Sequence, residues 1–243
     1  MNKIEQLQEI MQNSHSIVFF GGAGVSTESG IPDFRSKDGL YNQKYDISPE
    51  IILSHNYFME HPDKFYEYYF DKMINLSIKP NAAHYQLAKW EKMSKITAII
   101  TQNIDGLHQL AGSKKVYELH GSIYNNHCIR CHKYYNINDI IKFKNKKIVP
   151  ICSCNGIIKP DVVLYNEALN NITIDGAINA IVNCDTLIVA GTSLTVYPAA
   201  GLIDYFRGKN LILINKDDVH KNVNTLLTIN EPVGETLKKI NLN

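Results

Sequence analysis

Gly21-Gly22-Ala23-Gly24-Val25-Ser26-Thr27-Glu28-Ser29-Gly30-Ile31-Pro32-Asp33-Phe34-Arg35 follows directly on the apolar run Ile17-Val18-Phe19-Phe20. An apolar run of that length stopping in a glycine cluster reads as a buried strand that ends in a tight turn, where bare backbone N–H groups can approach a phosphate. The dinucleotide fingerprint is incomplete, because Gly22 and Gly24 lack the third glycine and no acidic residue stands alone on a second strand at the usual spacing. On Gly22 and Gly24 alone, a Gly/Pro surface loop reads equally well. The continuation sharpens the reading. It sets a guanidinium (Arg35), a ring (Phe34) and a carboxylate (Asp33) on a loop made irregular by Gly30 and Pro32.

Working outward, Ile96-Thr97-Ala98-Ile99-Ile100 reads as a second buried strand, and it ends in Thr101-Gln102-Asn103-Ile104-Asp105-Gly106. Val116-Tyr117-Glu118-Leu119 ends in His120-Gly121-Ser122, and Leu187-Ile188-Val189-Ala190 ends in Gly191-Thr192-Ser193-Leu194. The last strand, Leu211-Ile212-Leu213-Ile214, stops at Asn215. Polar groups just past the carboxyl ends of buried parallel strands lie where open α/β sheets bind ligands. His120 taken alone reads first as a histidine satisfied by local hydrogen bonds. Helical stretches separate the strands: an amphipathic one at 1–13, one capped by Asn81 that runs through Trp90, and one at 174–183. Residues 48–76, dense in Tyr and Phe at helical intervals, read as two short helices with an aromatic core. The fold class is α/β, a doubly wound parallel sheet with insertions.

Charge is nearly balanced, with 25 Lys and Arg against 24 Asp and Glu, so no global charge favours nucleic acid or an anionic membrane. The lysines of the 142–147 stretch read as a solvated face. No apolar run approaches the ~20 residues of a membrane span, and the N-terminus does not read as a signal peptide. The expectation is a soluble cytoplasmic protein. In such a chain, Cys128-x-x-Cys131 and Cys152-x-Cys154 favour one structural zinc over disulfides. Four thiolates leave no open position for water. Cys184 stands apart and reads as simply buried.

Taken together and in this order, these pieces resemble the sirtuins, the NAD-dependent protein-lysine deacylases, and bacterial members in particular. The likeness rests on Gly22-Ala23-Gly24-Val25-Ser26, Ser29 to Arg35, Thr101-Gln102-Asn103-Ile104-Asp105, His120-Gly121, the four cysteines, Lys159-Pro160-Asp161-Val162-Val163, Gly191-Thr192-Ser193-Leu194 and Asn215. It implies a Rossmann-like NAD-binding large domain (1–41 with 80–121 and 160–243). It also implies a small domain made of a helical module (42–79) and a zinc-binding module (122–159). By similarity, Ala23, Thr27 and Arg35 hold the phosphates, Thr192, Ser193 and Asn215 the adenosine side, and Phe34, Ile104 and Asp105 surround nicotinamide. Val163, Leu164 and Tyr165 bind the acyl-lysine substrate.

The resemblance further implies that NAD is consumed. The acyl oxygen of the modified lysine displaces nicotinamide from the ribose, and a base then takes a proton from a ribose hydroxyl. His120 stands in the family's position for that base, with Gln102 and Asn103 orienting ribose and water. Expected products are nicotinamide, which is also an expected inhibitor, the free lysine and O-acyl-ADP-ribose. Partners are acetyl-lysine proteins or peptides, without membrane or direct nucleic-acid binding. A mono-ADP-ribosyltransferase on the same NAD site is the alternative. One departure concerns peptide preference: Asn166 stands where the family usually has glycine, between Tyr165 and Glu167, and asparagine tolerates left-handed backbone better than most residues. A second reading concerns the acyl group. Family members that prefer acidic acyl chains carry a tyrosine and, three residues on, an arginine in the helical module. Residues 48–79 hold no arginine, and only Tyr69 with Lys72 approximates the pair. The tunnel is therefore expected to accept acetyl and disfavour succinyl.

Overall fold

The computed structural model describes residues 1–34, 36, 39–42, 46–217, 219 and 224–242, with the side chain of Asn42 outside the description. The apolar run becomes strand β1 (Ile17–Gly21), buried along its whole length. It lies inside a parallel sheet with β2 (Ile96–Thr101), β3 (Val116–Glu118), β7 (Thr186–Ala190), β8 (Asn210–Ile214) and β9 (Leu227–Ile229), in the order β3-β2-β1-β7-β8-β9. Alternate side chains of β1 enter two different cores, which explains why the run is apolar throughout. Ile17 and Phe19 pack with Ile99, Ile188 and Ile212 under α1 (Lys3–Asn13), α5 (Ala82–Lys92) and α9 (Val233–Lys238). Val18 and Phe20 pack with Ile100, Leu187 and Leu213 under α8 (Asn171–Val182) and the 3-10 helix Ala199–Tyr205. The chain leaves β1 toward β2 on one side and returns to β7 on the other. The carboxyl end of β1 is therefore the switch point at which such sheets open a crevice.

Two expectations need correction. The strand 211–214 is not the last, because β9 follows it in register with β8. Residues 48–76 form three short helices, α2 (Pro49–Ile52), α3 (His55–Glu60) and α4 (Pro62–Tyr68), and then a π-helical turn, Tyr69–Met73. Pro62 has no N–H to continue α3 and opens α4 instead. The expected aromatic core is there: Phe58, Phe65, Tyr66, Tyr69 and Phe70 are buried, with Phe65 stacked on Tyr69 and the other pairs edge-to-face or tilted. They rest on a second, antiparallel sheet of β4 (Gly121–Cys128), β5 (Tyr134–Asn136) and β6 (Ile158–Val162), through Ile123, Ile158 and Val162. The Tyr66 hydroxyl donates to the Ile158 carbonyl. Cys184 is buried beneath α8. Among the described residues no helix is long and apolar enough to cross a membrane.

Between α5 and α6 (Leu107–Leu110) lie two buried histidines, His84 and His108, with ring centroids 4.7 Å apart. His84 Nδ1 accepts the Asn81 N–H at 3.2 Å in the capping box of α5, so the ring works there as a neutral group. Neither nitrogen of His108 has a hydrogen-bond partner among the described residues. Burial lowers both pKa values, that of His84 to about 4, and His84 lowers that of His108 further. A folded-state pKa below the unfolded value gives stability that is complete above pH 6.5 and is lost as pH falls toward 4. For His84 this amounts to about 3 kcal/mol. Urea unfolding of the wild type should therefore weaken across that window more than that of His84→Gln, which keeps the same cysteines. Parallel pH profiles for the two proteins would contradict this.

Candidate active site

Four strand ends meet at the switch point: the loop after β1, Gln102 to Gly106 after β2, Gly191 to Leu194 after β7, and Asn215 after β8. Glycine is needed where two of these loops touch. A Cβ on Gly24 would stand 2.7 Å from Gly191 Cα, and one on Gly22 would stand 2.7 Å from Thr192 Cβ and 2.8 Å from Gln102 Oε1. The glycine spacing thus serves loop packing as well as any phosphate. Within the loop, the Gly22 N–H reaches Ala190 O and the Gly24 N–H reaches Gly191 O, whereas the Ala23 N–H has no partner among the described residues. Thr27 Oγ1 turns inward to Gly24 O at 3.0 Å. Arg35 lies outside the described residues. Phe34 is described, its ring 5.3 Å from that of Tyr41.

A linked polar network crosses the crevice. Asn103 Nδ2 donates to Ser26 Oγ at 3.1 Å, and Ser26 Oγ donates to Asp105 Oδ2 at 2.7 Å. The other oxygen of Asp105 accepts the Leu107 N–H at 2.9 Å. Burial raises the Asp105 pKa, and these two hydrogen bonds oppose the rise. Thr192 Oγ1 donates to Gln102 Oε1 at 2.9 Å, and the buried Gln102 Nε2 has no partner among the described residues. A buried amide with unused N–H groups calls for an acceptor from outside the chain, as a ribose hydroxyl would be. Together with the free Ala23 N–H, it fits a bound dinucleotide.

His120 sits just past β3, its Nδ1 2.9 Å from the Gln102 carbonyl oxygen. A carbonyl only accepts, so Nδ1 carries the proton and Nε2 keeps its lone pair. Burial holds the His120 pKa below its usual value, with the Gln102 contact opposing the shift. The next segment is tied to the same residue, since the Val163 N–H donates to the His120 carbonyl at 2.9 Å. Leu164 is buried, and Tyr165 is bonded through both backbone groups to Leu53 and His55, with its hydroxyl meeting that of Tyr41. Asn166 does adopt the left-handed backbone a glycine would take there, with φ +70°. Gln102, Asn103, Asp105, Thr192 and His120 therefore share one linked site. Ser193 bonds Thr195 and Asn215 bonds the Asp217 carbonyl, so both stand apart from that network. The Ile104 carbonyl pairs with the Ile123 N–H, joining the site to β4.

Two residues escaped the sequence reading of the site. Ser26 is the hinge of the Asn103–Asp105 link, and its hydroxyl in a Gly-x-Gly-Val-Ser run gave no separate signal. Glu118 is half-buried beside the site, and burial pushes its pKa to about 7 against hydrogen bonds from Gln109 and Ser122. An acid closing an apolar strand two residues before His120 was its visible trace.

The four cysteines converge, with all sulfurs within 4.8 Å of one another. Cys128 and Cys154 Sγ are 3.4 Å apart, and Cys131 and Cys152 Sγ 3.6 Å. Four sulfurs about 2.3 Å from one zinc stand roughly 3.8 Å apart, so the group fits a tetrahedral ion. The tight Cys152-x-Cys154 spacing is met by a turn in which the Asn155 N–H returns to Cys152 O and Asn155 takes φ +63°.

Residues 22–198 match the Sir2 family. The chain is 56% identical to the NAD-dependent protein deacetylase of Clostridium perfringens (strain 13 / Type A), over 98% of each chain. It is 54% identical to the protein of the same name from Clostridium acetobutylicum, over 99% of this chain and 98% of that one. Among solved structures, a Sir2–p53 peptide–NAD+ complex superposes with a TM-score of 0.87 at 38% identity, covering 98% of this chain and 97% of that one. A Sir2 variant with deacetylated p53 peptide and 3'-O-acetyl ADP ribose superposes with a TM-score of 0.90 at 37% identity, over the same shares.

Proposed function

The chain belongs to the Sir2 family, and from that premise we propose that it is an NAD-dependent protein-lysine deacetylase that moves the acetyl group of a lysine side chain onto ADP-ribose. The observation that carries this is the tautomer of His120: with Nδ1 held by the Gln102 carbonyl, Nε2 keeps its lone pair and can act as a base. When bound, NAD supplies a ribose carbon from which nicotinamide can be displaced by the acyl oxygen. The residues supply position and proton transfer. His120 Nε2 accepts a ribose hydroxyl proton, Gln102 Nε2 and Asn103 orient ribose and water, and Asp105 accepts from the nicotinamide carboxamide. Ala23, Thr27 and Arg35 serve the phosphates, Phe34 and Ile104 flank nicotinamide, and Thr192, Ser193 and Asn215 serve the adenosine side. Val163, Leu164 and Tyr165 line the acyl-lysine site, and Cys128, Cys131, Cys152 and Cys154 hold a structural zinc. No observation favours the ADP-ribosyltransferase reading, and weighing both products of a reaction with NAD and an acetyl-lysine peptide separates the two.

The large domain is read as 1–41 with 80–121 and 160–243, the helical module as 42–79 and the zinc-binding module as 122–159. The two separate sheets support a large and a small unit, although β6 (Ile158–Val162) runs across the 159/160 boundary and pairs along its length with β4. Partners are acetyl-lysine proteins, with nicotinamide as product and inhibitor. Cysteines that serve a metal and form no disulfide suit the reducing cytoplasm.

The acyl range follows from what the helical segment lacks. A carboxylate pushed into an apolar tunnel needs a fixed cation. Tyr69, the tyrosine of the approximate pair, is buried in the aromatic core, and Lys72 bonds Asp71 at 2.8 Å. On one peptide, turnover should be at least roughly ten-fold slower for succinyl-lysine than for acetyl-lysine. Equal or faster succinyl removal would show that a cation reaches the tunnel.

A further inference from the structure

Glu167 closes the segment read as the acyl-lysine site, and its carboxylate ends on three different parts of the chain. Oε2 accepts the Leu164 N–H at 2.9 Å and Lys159 Nζ at 2.9 Å; Oε1 lies 2.8 Å from His55 Nδ1. Lys159 belongs to β6, His55 opens α3, and Leu164 lies in the segment itself. Lys159 Nζ also donates to the carbonyls of Pro160 and Val162, so its ammonium knots the end of β6. Both members of the ion pair are largely shielded from water, with side-chain exposures of 18% and 19%. Burial alone would raise the Glu167 pKa, yet the His55, Leu164 and Lys159 contacts outweigh it and hold the carboxyl below its usual range.

The backbone around this carboxylate is fixed at each step. The Val163 N–H reaches His120 O, the Tyr165 N–H reaches Leu53 O, the His55 N–H reaches Tyr165 O, and the Glu167 N–H returns to Leu164 O across the left-handed Asn166. A turn with that backbone is not self-supporting in an exposed loop of non-glycine residues. The carboxylate holds it from inside by bonding its first N–H, and from outside through Lys159 and His55. We infer that Glu167 is a positioning residue for peptide recognition, setting the register of residues 163–166 against α3 and β6 so that an acyl-lysine peptide meets a preformed segment. The inference rests on the reading of Val163 to Tyr165 as the substrate site. It separates peptide from cofactor, because among the described residues the Glu167 carboxylate bonds only His55, Lys159 and Leu164 and none of the strand-end loops assigned to NAD.

The test is direct binding of a fluorescent acetyl-lysine peptide, with NAD binding measured in parallel, on wild type, Glu167→Gln and His55→Ala. Glu167→Gln keeps the shape but leaves the Lys159 ammonium without its anion, and should weaken peptide binding about ten-fold, the scale of a charged hydrogen bond. His55→Ala removes one contact at a half-exposed position and should weaken it roughly three-fold. NAD affinity should stay at the wild-type value in both. Peptide affinities equal to wild type would overturn the inference, as would NAD affinity falling in step with peptide affinity in His55→Ala. Should Glu167→Gln fail to fold, His55→Ala alone decides between these outcomes. A wild-type protein that binds no acetyl-lysine peptide would overturn the functional reading itself, and this inference with it.

Discussion

Replacing His120 by alanine should leave NAD binding close to that of the wild type and lower deacetylation by about two to four orders of magnitude. The ring is fixed through Nδ1 to a backbone carbonyl, so the side chain contributes a proton acceptor at Nε2 and little else to the crevice. The dinucleotide contacts argued above come from the loops after β1, β2, β7 and β8, and of these the substitution removes only the ring's hydrogen bond to the Gln102 backbone carbonyl, leaving the Gln102 side chain in place. The pH dependence carries the same assignment. The required form is the neutral ring, and burial lowers its pKa, so the acid limb of kcat/KM should fall below the ordinary value of 6.5. That limb should be missing from the residual activity of His120→Ala. Isothermal titration with NAD and a peptide deacetylation assay check both parts; full activity in the variant would remove His120 from the mechanism.

Loss of the metal should be as damaging, by a different route. Cys128 ends β4 and pairs in register with Ile158 at the start of β6, so an ion held by the four sulfurs clamps the two strands together. The sheet they form with β5 has only three short strands, and a structural zinc is worth on the order of 10 kcal/mol to such a unit. β4 begins at Gly121, next to His120, and β6 leads into Val163. Releasing the sheet therefore frees the base and the substrate segment together. Cys152→Ser, or exhaustive chelation, should give protein with far less than one zinc per chain and nearly no turnover, while the six-stranded sheet stays folded. Metal-free protein of full activity would refute the structural role.

The parallel sheet was legible because each strand of its middle is buried on both sides and reads as an unbroken apolar run, as Ile17 to Phe20 and Leu187 to Ala190 do. β9 was not. Three residues, Leu227–Ile229, carry too short a pattern to register, and they gain their pairing only from β8. In the helical segment the period was visible but its interruption by Pro62 was under-read. The strand-end polar residues pointed to a crevice, since position after a buried strand is a sequence property. Which of them join was not readable: the Asn103–Ser26–Asp105 link and the orphan Gln102 amide depend on distances between loops that are remote in the chain. The cysteine tetrad lay between these cases. Its pairs are local, and only their convergence needed the fold.

The central claim is that NAD is consumed to carry an acyl group from lysine to ADP-ribose. It is tested most directly by incubating the protein with NAD and an acetyl-lysine peptide and weighing both products by mass spectrometry. The account predicts a peptide lighter by one acetyl group, one nicotinamide released per lysine freed, and an ADP-ribose that has gained the acetyl group. Nicotinamide released while the peptide keeps its acetyl group and gains ADP-ribose would contradict it.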